Sequence, residues 1–168
     1  MSINFLSIND GQIAIAQIPR AGINSMRKKM MGRYRFVNAE EAMGHSRRVA
    51  FIRHPIDRLK SAYALMIGLR DQGHDNFGRS GIDGWADFVD YALSPVDDDI
   101  HWVPQHDLVG DVPNEWHRIE NIVAEFSSID GGEFPHENHW PRPDGIFEYR
   151  TSELTQKYRK DLEIWRSI

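Results

Sequence analysis

The chain has 168 residues, 40% of them hydrophobic and 27% charged, with a formal net charge of −5 at neutral pH. That size can bury roughly two thirds of the unfolded surface and suits one domain over residues 1–168, while the composition excludes disordered, collagenous and coiled-coil classes. There is no apolar run of about 18 residues to cross a membrane, no basic and apolar leader at Met1–Ile8, and no cysteine for disulfides, thiolate metal sites or a Cys nucleophile, so a soluble cytoplasmic protein is expected.

In chain order, Ile3–Ile8 and Gln12–Ile18 are short apolar runs split by Asn9-Asp10-Gly11, and Asp-Gly predicts a tight turn, hence a hairpin or an interrupted strand. Ile13 to Ala16 reads as a strand covered on both faces. Pro19 to Asn24 breaks the pattern, and Ser25 is placed to cap a helix running to about Gly32. Arg48 to Ile52 is a second buried strand, and Pro55 follows where a first helical turn accepts proline. Leu59, Ala62, Tyr63, Met66 and Ile67 then recur at helical spacing.

Asp71 to Gly84, with four glycines, reads as a loop. Trp85, Phe88, Val89 and Ala92 predict a short amphipathic helix, and Ser94 to Pro113 is read as irregular. Trp116–Ile119 is expected as a strand, Glu120–Ile129 as a helix and Asp130 to Gly145 as a loop. Thr151 or Ser152 caps a last helix with Leu154, Tyr158, Leu162 and Trp165 on one face. Strands alternating with helices predict an α/β domain with a mainly parallel sheet.

Charge is unevenly distributed. Residues 1–84 carry +6 and residues 85–168 carry −11, and between Arg20 and Lys60 eleven basic residues face three acidic ones. A local positive field in an acidic protein fits a discrete anionic ligand better than nucleic acid. The competing reading is a solvated helix face, because Arg27, Lys28 and Lys29 are consecutive and cannot all point one way.

Two strand–loop–helix units are candidate anion sites. In the first, Ile15 to Met26, Gly22 permits a close main-chain approach, Arg20 adds fixed charge, and the first helical amides lack intrahelical partners. It is not the GxxxxGK[ST] pattern of nucleoside triphosphatases. In the second, Val49 to Tyr63, Arg53 stands at the carboxyl end of a strand, where open α/β sheets bind ligands. Together with Ser61 it offers a fork and a hydroxyl for a phosphate monoester. The plainer alternative pairs Arg53 with Asp57 and leaves Ser61 on the surface.

Pro19-Arg20-Ala21-Gly22-Ile23-Asn24-Ser25 resembles the 5′-phosphosulfate loop of sulfotransferases. Phe51 to Tyr63 resembles their 3′-phosphate motif more closely, through its Arg-x-Pro, Arg-Leu and Ser-Ala-Tyr groups. His101-Trp102-x-Pro104-Gln105, Arg118 to Ile122 and Tyr158-x-x-Asp161 resemble the carbohydrate (Golgi-type) branch, in the same order from about residue 13 to 165. The resemblance implies a P-loop-like three-layer fold with a central mainly parallel sheet flanked by helices. It also implies 3′-phosphoadenosine-5′-phosphosulfate as co-substrate, no metal, and a carbohydrate-like acceptor. By motif position, Arg20, Ala21, Gly22, Ile23, Asn24 and Ser25 would hold the 5′-phosphosulfate, and Arg53 and Ser61 the 3′-phosphate.

The chain departs from the family in carrying Arg20 where lysine is usual and in the short stretch of about 27 residues between the two motifs, and it is expected to lack the anchor and disulfides of the Golgi relatives. Arg20 is expected to act on the reacting group as well as to bind. His101 leads as the base that takes the acceptor proton, because it sits in the family-like His-Trp-x-Pro-Gln element and histidine is the side-chain type suited to proton transfer near neutral pH, with His45 and Glu41 as alternatives. Trp102 could stack a sugar face or fill the core. His136-Glu137-Asn138-His139 lacks the HExxH spacing of zinc sites, and Arg142 in that loop is a possible phosphate contact. Tyr158 and Trp165 read as packing residues. The alternatives to a sulfotransferase are a nucleotide-binding relative without transfer activity and a small nucleotide kinase.

Overall fold

The computed structural model describes residues 3–71, 82–95, 99–130 and 148–168. The first two strands, β1 (Phe5–Ile8) and β2 (Ile13–Ala16), form an antiparallel hairpin around a 3-10 turn at Asn9–Gly11. Asn9, Asp10 and Gly11 all take positive φ there. Helix α1 (Ile23–Lys29) follows, then β3 (Arg35–Val37) and the single turn α2 (Ala39–Ala42), which the Asn38 side chain caps by accepting from the Glu41 amide. Next come β4 (Arg47–Ile52), α3 (Pro55–Asp71), α4 (Trp85–Leu93) and α5 (Gln105–Val109). The chain ends with β5 (Glu115–Arg118), α6 (Ile122–Asp130), α7 (Thr151–Lys157) and α8 (Arg159–Ser167).

The sheet order is β3-β1-β2-β4-β5. β2, β4 and β5 run parallel, whereas β1 is antiparallel to both β2 and β3. The expected mainly parallel sheet is therefore only partly parallel. The physical reason is local: a turn as short as Asn9–Gly11 can join only antiparallel neighbours, since a parallel pair needs a crossover of a dozen residues or more. β3 and α5 fall in stretches that carry no period of their own, and tertiary packing creates them.

Alternation in the strands divides the core. Leu6, Ile8, Ile13, Ile15, Val49 and Phe51 pack against Met26 and Met30 of α1 and against Ile122, Phe126 and Ile129 of α6. Phe5, Ala14, Ala16 and Ala50 face the other way, onto Ala42 of α2 and Leu108 and Val109 of α5. Helices thus cover both faces of the sheet, and the alanines on the second face leave room for short elements to approach. A third cluster joins α3, α4 and α7 around Trp102. β4 and β5 are also tied at their amino ends, where the Arg47 guanidinium forks onto Glu115 at 2.9 and 2.8 Å. Because β2 and β4 are parallel neighbours in register (Ile15 opposite Val49), their carboxyl ends lie side by side. This sets the loop after β2 next to the loop after β4.

The last helix breaks at Tyr158, whose φ of −100° and ψ of 20° separate α7 from α8. α1 begins at Ile23 with Gly22 as its cap and ends at Lys29, so Ser25 is a buried first-turn residue and not the cap.

Candidate functional site

The loop after β2 is bent by two left-handed residues, Arg20 (φ 65°) and Gly22 (φ 79°). A Cβ on Gly22 would sit 2.8 Å from the δ-methyls of Ile119 and Ile122. The glycine therefore serves the turn and the packing of α6, in addition to whatever approaches the loop from outside. Arg20 holds a conformation that costs a non-glycine residue about 1–2 kcal/mol, a kind of strain that clusters at functional sites.

The Arg20 side chain runs across to α3. Its Nε and Nη2 donate to Ser61 Oγ at 3.0 and 2.7 Å. Arg53, just after β4, donates from Nη1 to the Arg20 carbonyl at 3.4 Å. Burial and the neighbouring Arg53 charge push the Arg20 guanidinium below its ordinary value. Two cations held together in a half-buried position favour an anion between or beside them. Ser61 Oγ already accepts twice, which leaves its O–H to donate, so its natural partner is an acceptor such as a phosphate oxygen. Asp57 pairs with Lys60 at 3.9 Å, while Arg53 reaches the Arg20 carbonyl. Two anion-loop candidates separated in sequence are thus brought into contact.

The two segments are held by a buried to part-buried polar frame. Gln105 and the Arg53 backbone exchange hydrogen bonds, Arg53 N donating to Oε1 at 3.0 Å and Nε2 donating to Arg53 O at 2.8 Å. Asp161 of α8 caps α5 by accepting from the amides of Gln105 (2.7 Å) and His106 (2.9 Å). Burial raises the Asp161 carboxyl, and those amides and Arg58 work against the rise. Arg58 is 2% exposed. It donates to the carbonyls of Pro19 (2.9 Å), Val103 (2.8 Å) and Ile100. Burial pushes this guanidinium down to about 10, so it is still charged at neutral pH. Tyr158 donates to the Trp102 carbonyl at 2.6 Å, and burial pushes its phenol up. The His101-to-Gln105 and Tyr158-to-Asp161 groups are therefore one docked unit.

Arg58, Gln105 and Asp161 carry this frame, yet sequence reasoning assigned them no role beyond motif membership. Their buried hydrogen bonds are with segments 39 to 56 residues away, which no local pattern encodes.

The other expected residues are placed as follows. Ala21 is buried, Ile23 half-buried and Asn24 exposed at the start of α1. His101 lies in the turn before α5, its Nδ1 2.7 Å from Asp99 Oδ1. His45 is buried, with Nε2 2.8 Å from Ser7 Oγ and Nδ1 3.1 Å from the Glu41 carbonyl. It precedes β4, at the end of the parallel strands opposite Arg20 and Arg53, and Glu41 pairs with Arg35 on the surface there. Trp102 is 2% exposed among Phe88 and Tyr91. It is a core residue and cannot present a face to a sugar. Trp165 packs edge-on to His54 and under the Arg118 guanidinium. His136, Glu137, Asn138, His139 and Arg142 lie outside the described residues. Among the described residues no helix is long and apolar enough to cross a membrane, and no group of three or more His, Asp or Glu could hold a metal ion.

A sheet with helices on both faces, carrying Arg20 and Arg53 together at the carboxyl tips of two adjacent parallel strands, defines a mixed α/β protein. Residues 6–126 match the sulfotransferase family, and the chain belongs to that family. Comparison with curated proteins and with solved structures finds no match.

Proposed function

We propose that the protein transfers a sulfuryl group from 3′-phosphoadenosine-5′-phosphosulfate to a hydroxyl of a carbohydrate-like acceptor, using a P-loop-like cradle in a single domain. The observation that carries this reading is the convergence of Arg20, Arg53 and Ser61, which come from two separate strand–helix units. The main chain from Arg20 to Ser25 would receive the 5′-phosphosulfate, and Arg53 with Ser61 the 3′-phosphate. The cysteine-free sequence supports a cytoplasmic setting.

The chemistry needs no covalent intermediate. The acceptor oxygen attacks sulfur in line, the bond from sulfur to the bridging phosphate oxygen breaks, and 3′-phosphoadenosine-5′-phosphate leaves with the electron pair. The acceptor proton passes to His101. Charge spreads over oxygens as in phosphoryl transfer, and fixed donors that meet this charge are worth about 3–4 kcal/mol each. Arg20 and the amides after Gly22 are those donors, and a positioned base adds about 10²–10⁴-fold.

One observation favours a second reading, a nucleotide-binding relative without transfer. Two of the Arg20 guanidinium donors, Nε and Nη2, are held by Ser61, the residue assigned to the 3′-phosphate, which draws the head group away from the reacting end. Calorimetry with 3′-phosphoadenosine-5′-phosphate against ATP tests the shared part, and equal or tighter ATP binding would overturn it. Labelled sulfate transfer to a set of glycosides separates the two, since binding without transfer selects the second.

A further inference from the structure

We propose that Asp99 is the positioning residue that makes His101 a proton acceptor, by holding the ring as its Nδ1–H tautomer and leaving the lone pair on Nε2. The inference rests on the sulfuryl-transfer reading above.

Asp99 Oδ1 lies 2.7 Å from His101 Nδ1 and accepts the His101 main-chain amide at 2.9 Å. An ionised carboxylate only accepts, so the contact puts the ring proton on Nδ1. In the neutral ring Nε2 is then the nitrogen able to take a proton. The two side chains are 25% and 20% exposed, which limits competition from water. The carboxylate also offsets the positive charge that the ring gains on taking the acceptor proton.

The pair stands on a rigid frame. The Asp99 carbonyl accepts from the amides of Trp102 (3.0 Å) and Val103 (2.9 Å), closing the turn. Arg58 holds the carbonyls of Ile100 and Val103 on either side of His101. The same guanidinium holds Pro19, one residue before Arg20. Trp102 is anchored in the core and by Tyr158. The segment carrying the imidazole is thereby registered to the anion loop through one buried side chain. In the transfer step the acceptor O–H bond breaks, its proton goes to Nε2 and its oxygen bonds sulfur as the bridging S–O bond opens.

The test uses the full chain labelled with ¹⁵N-histidine. Long-range ¹H–¹⁵N spectra at mildly alkaline pH, with His101→Asn to assign the signal, are expected to show the Nδ1–H form. Asp99→Asn, which can present an amide donor to the ring, is expected to shift it toward Nε2–H. Asp99→Ala removes the acceptor without adding a donor and serves if the first variant does not fold. An Nε2–H ring in the wild type, or an unchanged spectrum in both variants, would overturn the proposal. In sulfate transfer to p-nitrophenyl glycosides, Asp99→Asn should lower kcat by about 10²–10⁴-fold. The Kd for 3′-phosphoadenosine-5′-phosphate should stay within about twofold. Unchanged kcat alongside a changed tautomer would overturn the positioning role. Failure of the wild type to bind that nucleotide would instead sink the sulfotransferase reading, with the tautomer still measured independently.

Discussion

Replacing Arg58 by methionine isolates the tie between the loop after β2 and the turn that carries His101. Methionine has similar length and can occupy the space, but it cannot donate. The carbonyls of Pro19, Ile100 and Val103 would lose their partner at a position that is 2% exposed. The three carbonyls are half-buried, so each stranded acceptor costs at most about 1–3 kcal/mol, and relief from burying a charge returns part of the sum. A net loss of about 3–5 kcal/mol is expected, in the range found when one partner of a buried charged contact is removed. For a chain of this size each kcal/mol lowers Tm by about 2–4 °C, so thermal unfolding followed by circular dichroism should move down by about 6–20 °C. Arg58→Lys keeps the charge and some donors and should fall between the two. The folded fraction of Arg58→Met should also bind 3′-phosphoadenosine-5′-phosphate more weakly, because the Pro19 carbonyl is released beside Arg20. A Tm within about 2 °C of wild type would refute the idea that this guanidinium locks the two segments.

Arg53→Ala should weaken 3′-phosphoadenosine-5′-phosphate by about 10–150-fold, the loss of one charge-assisted contact, while adenosine 5′-phosphate changes little; equal losses in calorimetry would remove Arg53 from the 3′-phosphate. Gly22→Ala should cost about 1–2 kcal/mol in urea unfolding, because alanine is disfavoured at φ 79°, and an unchanged midpoint would show that the turn relaxes freely. The Arg47 hydrogen bond holds the Glu115 carboxyl below its usual value. Its contribution is therefore present above the ordinary glutamate range and fades as acid protonates the folded form. Unfolding curves from neutral to acid pH should show Glu115→Gln losing less stability than wild type, and parallel curves would contradict the assignment.

Much of the fold is legible because it is written in local periods and turn chemistry. Asn9-Asp10-Gly11 between apolar runs predicts the hairpin, the alternating and alanine-rich Ile13 to Ala16 a buried strand, and Pro55 with its following apolar stripe the long α3. The candidate loops are also visible, because Arg20, Gly22 and Arg53 stand at strand–helix junctions and Ser61 lies within the helix that follows the second. The sequence likewise places Tyr158 and Asp161 in a recognisable group.

Other features exist only once distant segments meet. β3 is three residues long and forms by pairing with β1 at the sheet edge. α5 forms where Asp161, from the far end of the chain, caps its amides. Arg20 turns to Ser61, and His45 is carried to the opposite end of the strands from Arg53, because strand order and register decide which loops are neighbours. Local sequence sets backbone preference through sterics and side-chain period. The partners of a buried donor or acceptor are set by long-range packing, where an unmet hydrogen bond costs more than any local preference returns.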